Sequence, residues 1–320
     1  MIRYIALLAL LAGCASAYAQ GYPTKPIRLV VGFAPGGAAD TVARAIGDPL
    51  GRVLGQTIII DNRPGAGSSL AAEFVAKAAP DGYTILIASP SSMSVNPVIN
   101  PNVGYNPERD FAPITKVTSS PLVVAVHPSL PVHSIRELIA EAKRTPGRLN
   151  YATSGNGSAP HLGAVLFSSL AGVEMVHVPF KGGAPAVQSV LAGDTQVTFA
   201  TPPSVLPLIQ ARRLRGLAVT TRFASPAVPG LPGMEEAGLV NYDLTFWYGF
   251  FAPAGTPAEA IRRLYAATTQ VLQRPELKQL LAREGTDISG SRSSEEFATF
   301  LREDAKLWER LVRETGAKIE

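Results

Sequence analysis

Short apolar runs rich in Val, Ile and Leu alternate along the chain with longer stretches in which apolar residues recur every three or four positions. The first pattern predicts strands and the second amphipathic helices. Strands are expected at 27–33, 57–61, 83–88, 122–126, 149–152, 174–178, 196–200, 215–220 and 246–251. Many of these runs are continuously apolar, which points to strands covered on both faces, as in a parallel sheet. Helical spacing shows at Leu70, Phe74 and Ala78 and at Leu138, Ile139 and Ala142. A last helix carries Phe297, Phe300, Leu301, Trp308, Leu311 and Val312 on one face. Ser134 with Glu137, Thr256 with Glu259 and Ser293 with Glu296 have capping-box spacing, and Pro257 suits a first helical position. Asp48-Pro49 is expected to kink or restart the first helix. Together these elements predict an α/β fold of two lobes.

Residues 1–19 stand apart. Arg3 precedes an apolar stretch over 4–13, followed by Cys14-Ala15-Ser16-Ala17-Tyr18-Ala19. Charge, short apolar core and small-residue exit make a secretory signal peptide, and the stretch is too short for a permanent span. Cleavage after Ala19 is favoured and leaves Gln20 first. Leu11-Ala12-Gly13-Cys14 fits a lipobox instead, which would leave Cys14 as a lipid anchor. Either route exports the chain, so the periplasm is expected. Cys14 is the only cysteine, so the folded part has no disulfide, thiol nucleophile or cysteine metal site. Loss of Arg3 takes 29 basic residues to 28 against 25 acidic ones, a scattered net charge of +3. A nucleic-acid partner would call for a clustered basic stripe, and none is expected. Hydrophobic residues make up 46% of the chain, enough for two cores. Crossings at 113–121 and 241–245 would divide it into one lobe of 22–120 plus 245–320 and another of 121–244.

Two glycine turns carry most of the candidate chemistry. One is Ala34-Pro35-Gly36-Gly37-Ala38-Ala39-Asp40, and the other is Ser154-Gly155-Asn156-Gly157-Ser158-Ala159-Pro160-His161. Each lies between an apolar strand and a helical run. Glycine lets a backbone approach a ligand closely, and the helix start behind it offers free N–H groups to an anion. The stretches 33–39, 88–99, 153–160 and 200–209 contain no charged residue. An anion there would be held by N–H groups and hydroxyls. Lys181 is the nearest candidate cation, read either as a ligand contact or as a solvated surface lysine. His161, on the first turn of its helix, either reaches a ligand oxygen or braces the turn. Asp40 and Arg63 are expected to brace loops, and His127, His133 and His177 to be structural. There is no G-x-x-x-x-G-K-[ST], G-x-S-x-G or H-E-x-x-H motif, and no cofactor or metal is expected. An exported hydrolase or lyase using a serine or His161 would need a base–nucleophile pair that the spacing does not supply.

The order and spacing of several short motifs resemble the Bug family, the extracytoplasmic solute receptors of tripartite tricarboxylate transporters. They are Tyr22-Pro23-Thr24-Lys25-Pro26-Ile27, Pro35-Gly36-Gly37 with Asp40, Asn62-Arg63-Pro64-Gly65-Ala66-Gly67 and Pro80-Asp81-Gly82-Tyr83-Thr84. Further on come Val178-Pro179-Phe180-Lys181-Gly182, Ala237-Gly238-Leu239, Trp247-Tyr248-Gly249 and Ala252-Pro253-Ala254-Gly255-Thr256-Pro257. The resemblance covers 22–320. It implies a type II periplasmic-binding-protein fold with a ligand cleft between the lobes, and no catalysis. The ligand would be a dicarboxylate, tricarboxylate, aromatic acid or amino acid, delivered by a monomer to the transporter's membrane subunits; a sensory receptor would use the same fold. The resemblance places the carboxylate between Phe33, Gly36, Gly37 and Ala38 on one side and Ser154, Asn156, Gly157, Ser158 and His161 on the other. Ser89, Ser91 and Thr201 would form further walls. Two departures stand out: Val165 where the family commonly has an acidic residue, and Gly193-Asp194-Thr195-Gln196 in place of the usual Gly-x-Val-Asp.

Overall fold

The computed structural model describes residues 21–100, 102–283 and 285–315. The expected signal peptide at 1–19, with Cys14, lies outside them, as does the side chain of Leu311. The strands form two sheets. One has six strands in the order β11-β4-β10-β3-β1-β2. These are β1 (Ile27–Val31), β2 (Ile58–Asn62), β3 (Thr84–Ala88), β4 (Phe111–Pro121), β10 (Thr245–Pro253) and β11 (Asp287–Ile288). The other has five, in the order β7-β6-β8-β5-β9. They are β5 (Val123–Val126), β6 (Asn150–Thr153), β7 (Val176–Pro179), β8 (Val197–Ala200) and β9 (Arg215–Val219).

Every expected strand is present to within two residues at each end. The sheets are mixed, however, not parallel. β1 pairs parallel with β2 and β3, and β6 pairs parallel with β7 and β8. β10 runs antiparallel to β3 and β4, and β5 antiparallel to β8 and β9. The apolar runs at β2 and β7 mark sheet edges, which stay partly open to solvent. Residues 113–121, expected as a connection, form most of β4. Its prolines sit at an antiparallel pairing with β10 that is interrupted by two register shifts, and such irregularities tolerate residues without an N–H.

The helices that matter for the site are α1 (Ala38–Leu54), α2 (Ser69–Ala76), α3 (Ile135–Arg144), α4 (Ala159–Ala171), α5 (Gly183–Ala192), α6 (Pro202–Gln210), α7 (Ala258–Leu272), α8 (Pro275–Arg283) and α9 (Ser294–Thr315). α1 is not restarted at Asp48-Pro49. It buries Ile46, Pro49, Leu50 and Leu54 on one face, and that packing outweighs the lost hydrogen bond. α2 buries Ala71, Ala72 and Val75, while Leu70 is 55% exposed. Ser134 caps α3 by accepting from the Glu137 N–H, and Ser293 accepts likewise from Glu296. Thr256 does not cap α7. Its hydroxyl turns back to donate to the Pro253 carbonyl at 2.8 Å, and Pro257 takes the cap position.

The two passages between the sheets meet at Thr220, which is fully buried. The Leu122 N–H donates to Thr220 Oγ1 at 2.7 Å, and Oγ1 donates to the Leu244 carbonyl at 2.8 Å. Backbone bonds from Thr220 N to Leu122 O and from Leu244 N to Thr220 O complete the knot. Tyr242 on the second passage donates to the Gly163 carbonyl of α4 at 2.8 Å. Thr220→Val, which keeps the shape and removes both side-chain bonds, should cost about 1–3 kcal/mol because the Leu122 N–H is left buried without that acceptor. Urea denaturation checks this; an unchanged midpoint would show that the hydroxyl is dispensable.

Candidate functional site

The first glycine turn follows β1. Gly36 has φ +78°, a backbone that glycine adopts without strain, whereas Gly37 has φ −85° and serves as the N-cap of α1 with no side-chain cap bond. The turn is braced from behind. Asp40 Oδ2 accepts from the Gly36 N–H at 3.0 Å and from Arg44 Nε at 2.9 Å. Asn62 Nδ2 donates to Asp40 Oδ1 and to the Phe33 carbonyl, both at 3.1 Å. Burial would raise the Asp40 carboxyl, but the bonds from Arg44, Gly36 and Asn62 outweigh it and hold it below the ordinary carboxylate value. Arg63 pairs with Asp61 at 2.9 Å and lies over the Phe74 ring, so both residues brace loops as expected.

The second turn follows β6. Ser158 caps α4 by accepting from the His161 N–H at 3.3 Å, and His161 Nδ1 accepts from the Gly157 N–H at 3.2 Å. An Nδ1 that accepts places the proton of the neutral ring on Nε2. His161 stacks on His177 with centroids 4.1 Å apart, and His177 stacks on Tyr151 at 5.0 Å. His177 Nε2 and Thr153 Oγ1 lie 2.6 Å apart, and the Gly155 N–H donates to the same hydroxyl at 3.2 Å. Three rings thus back the turn. His177 is structural, and His161 braces the turn without facing the cavity in front of it.

That cavity lies between the two sheets, with a free volume of about 20 Å³, room for roughly one water. Of the residues expected to contact a ligand, Phe33, Gly37, Ala38, Ser91, Ser154 and Thr201 line it. So do Ala39, Thr153, Pro160, Gly183, Ala186, Thr198, Phe199, Ala200, Phe246 and Tyr248, and no charged side chain is among them. Four helix starts reach it. The Ala159 N–H at α4 is taken by Ser91 Oγ at 3.0 Å, and α6 opens with Pro202-Pro203, which have no N–H. The starts of α1 and α5 are therefore the helix ends that offer donors. The distant wall residues were missed because only the strands Phe199, Phe246 and Tyr248 sit on were readable, not the face each presents.

The other anticipated residues lie elsewhere. Gly36 shapes its turn, and Ser158 is a cap. The Ser89 hydroxyl is buried with no hydrogen-bond partner among the described residues. The Lys181 side chain is exposed, while its carbonyl accepts from the Ala34 N–H across the cleft at 3.2 Å. Asn156 and Gly157 meet Gly67 and Asn96 of the six-stranded sheet's side. Among the described residues no hydrogen bond joins Ser91 or Ser154 to a histidine or carboxylate, and no group of three metal-ligating side chains occurs.

Gly157 has φ +67°, and a Cβ there would overlap Asn96 Oδ1. Gly157→Val should prop the lobes apart, with a radius of gyration by small-angle scattering above wild type; an unchanged radius would mean that the turn yields instead. The stacked histidines make a second expectation. Burial lowers His161 to about 4 and, together with the adjacent His161, lowers His177 to about 3. An unfolded histidine titrates near 6.5, so below about pH 6.5 the unfolded chain binds protons that the folded one refuses. Stability should fall as the pH drops from about 6.5 to about 3, and should not depend on these two groups above that window. Melting temperature against pH checks it, and His177→Phe should flatten part of the slope.

Comparison with known proteins accords with this geometry. The tripartite tricarboxylate transporter family receptor model matches residues 42–317. Protein BugT of Bordetella pertussis is 33% identical over 303 residues, 94% of this chain and 92% of its own. A Rhodopseudomonas palustris protein solved with adipate superposes with a TM-score of 0.90 at 34% identity, covering 93% of this chain and all of its own. MatC from Rhodopseudomonas palustris, with bound malate, superposes with a TM-score of 0.87 at 30% identity, covering 91% and 100%. The family and its structural neighbours are periplasmic solute-binding receptors with the same two-lobed fold. A chain whose two sheets close on an uncharged cavity, and which matches that family over most of its length, belongs to the tripartite tricarboxylate transporter receptors.

Proposed function

We propose that this protein is an exported receptor that captures a small carboxylate between its lobes and passes it, unaltered, to the membrane subunits of a tripartite transporter. The lobes are taken as 22–120 with 245–320 and 121–244, acting as a monomer after loss of residues 1–19. The observation that carries the reading is the uncharged cavity at the start of α1. There the N–H groups behind Gly37, with Ser91, Ser154 and Thr201, offer donors to an anion while Phe33, Phe199 and Phe246 supply apolar wall. Neutral donors hold an anion more weakly than an arginine fork, which suits a receptor that must release its cargo. The relatives solved with adipate and malate support the ligand class.

A cavity of about 20 Å³ admits no such ligand without opening. Entry therefore requires the lobes to part about the passages tied at Thr220, and the ligand favours closure by binding that form better. A thermal-shift screen over dicarboxylates, tricarboxylates, aromatic acids and amino acids tests the proposal. A ligand at 100 times its Kd should add roughly 2.7 kcal/mol of stability. Lys181→Ala should leave affinity within about threefold, a surface charge being worth little, whereas Gly157→Val should abolish binding. Recovery of chemically altered ligand at multiple turnover would overturn the reading, as would Lys181→Ala proving the more damaging change.

A further inference from the structure

One carboxylate on α9 is turned inward. Asp304 is 9% exposed. Its Oδ2 accepts from Ser94 Oγ at 2.6 Å, and its Oδ1 accepts from the Trp308 indole N–H at 3.2 Å. Burial pushes the carboxyl above the ordinary carboxylate value, while its hydrogen bonds and the charge of Lys116 act against that. Burying a carboxylate is costly unless its partners compensate; one partner is local, the Trp308 indole, and the other is a hydroxyl 210 residues away in sequence.

Ser94 lies within the single π-helical turn Ser91–Val95, all of whose residues are buried. Such turns are uncommon and need outside support. Tyr105 supplies some by donating to the Ser92 carbonyl at 2.6 Å. The same short segment carries contacts to the other lobe. Ser91 Oγ accepts from the Ala159 N–H and lines the cavity. Asn96, directly after the turn, donates to the Ala66 and Gly67 carbonyls and lies against Gly157. α9 itself reaches across to α4.

We infer that Asp304 is a positioning residue for ligand capture: through Ser94 it holds the Ser91–Val95 turn in the one arrangement that lets Ser91 face the cavity and bond to Ala159 of the opposite lobe. Asp304 touches no cavity atom and acts only through the turn. A charged acceptor gives a shorter, stronger bond to the serine hydroxyl than a neutral one, which explains an acid at this position. The inference rests on the receptor reading for its effect on affinity, but not for its effect on the turn.

The test compares wild type, Ser94→Ala, Asp304→Asn and the double variant. Amide exchange at Ala159 in the ligand-free protein, read by NMR, should speed up by about tenfold in each single variant. The double variant should be no faster than the faster single, as expected for two partners of one bond. Amides of β8, at the centre of the same lobe, should be unchanged. The Kd for adipate or malate, whichever wild type binds, should weaken by a similar factor. Unchanged exchange at Ala159, or an equal rise at Ala159 and β8, would overturn the inference. If wild type bound no carboxylate, the receptor reading would fall while exchange at Ala159 still decided this one. If Asp304→Asn did not fold, Ser94→Ala alone would decide.

Discussion

Thr220 is the point on which the two-lobed arrangement depends. The chain passes from the six-stranded sheet to the five-stranded one at Leu122 and returns at Leu244, and one buried threonine bonds to both. A single passage would let the lobes twist freely. Two passages fastened side by side restrict them to opening and closing about one line. The backbone bonds between Thr220 and the two leucines make this a small piece of sheet shared by both lobes. Its location decides where the cleft lies, because the turns after β1 and β6 are carried toward each other from either side of it.

The cleft is electrically quiet. A helix start is attractive to an anion only while the partial charge of its N–H groups is not already satisfied. Asp40 stands in the first turn of α1, where its negative charge would compete with an anionic ligand. Its oxygens are occupied by Arg44, Asn62 and the Gly36 N–H, so the same contacts that shape the turn also absorb that charge. On the opposite side the bracing groups are neutral imidazoles, kept so by burial. Both turns are therefore supported by side chains that add little net charge to the cavity. Recognition is left to dipoles, hydroxyls and shape.

Closure, in turn, relies on small residues at the points of contact. Gly67 and Gly157 meet with no room for a Cβ at either, and the Ala34 N–H reaches the Lys181 carbonyl beside Gly182. The contacts of Gly67 with Asn156 and of Ala34 with Lys181 are backbone to backbone, while Gly157 lies against the Asn96 and Ile99 side chains, so together they set how far the lobes approach whatever the ligand. The closing contacts and the side-chain wall are thus separate features of one cleft. Lys181 shows the difference: its backbone takes part in closure while its charged end stays in solvent.

Much of this was legible in the chain. Each expected strand exists, the caps at Ser134 and Ser293 form, and both glycine turns stand between a strand and a helix, because such features depend on residues a few positions apart. The order of strands did not follow from local pattern. β10 enters the six-stranded sheet antiparallel between β3 and β4, and β4 itself was hidden by Pro113, which sits at a register shift, and Pro121, which ends the strand. The site divided along the same line. Phe33, Gly37, Ala38, Ser91, Ser154 and Thr201 lie in loops that the resemblance singles out, whereas Thr198, Phe246 and Tyr248 reach the cavity by the face their strands present. The ring stack of Tyr151, His177 and His161 and the bond from Ser94 to Asp304 join segments far apart in sequence. By itself the sequence determined which segments form and where the chain turns sharply. Tertiary packing decided which buried polar groups meet, since a hydroxyl or imidazole removed from water must find its partner wherever the folded chain places one.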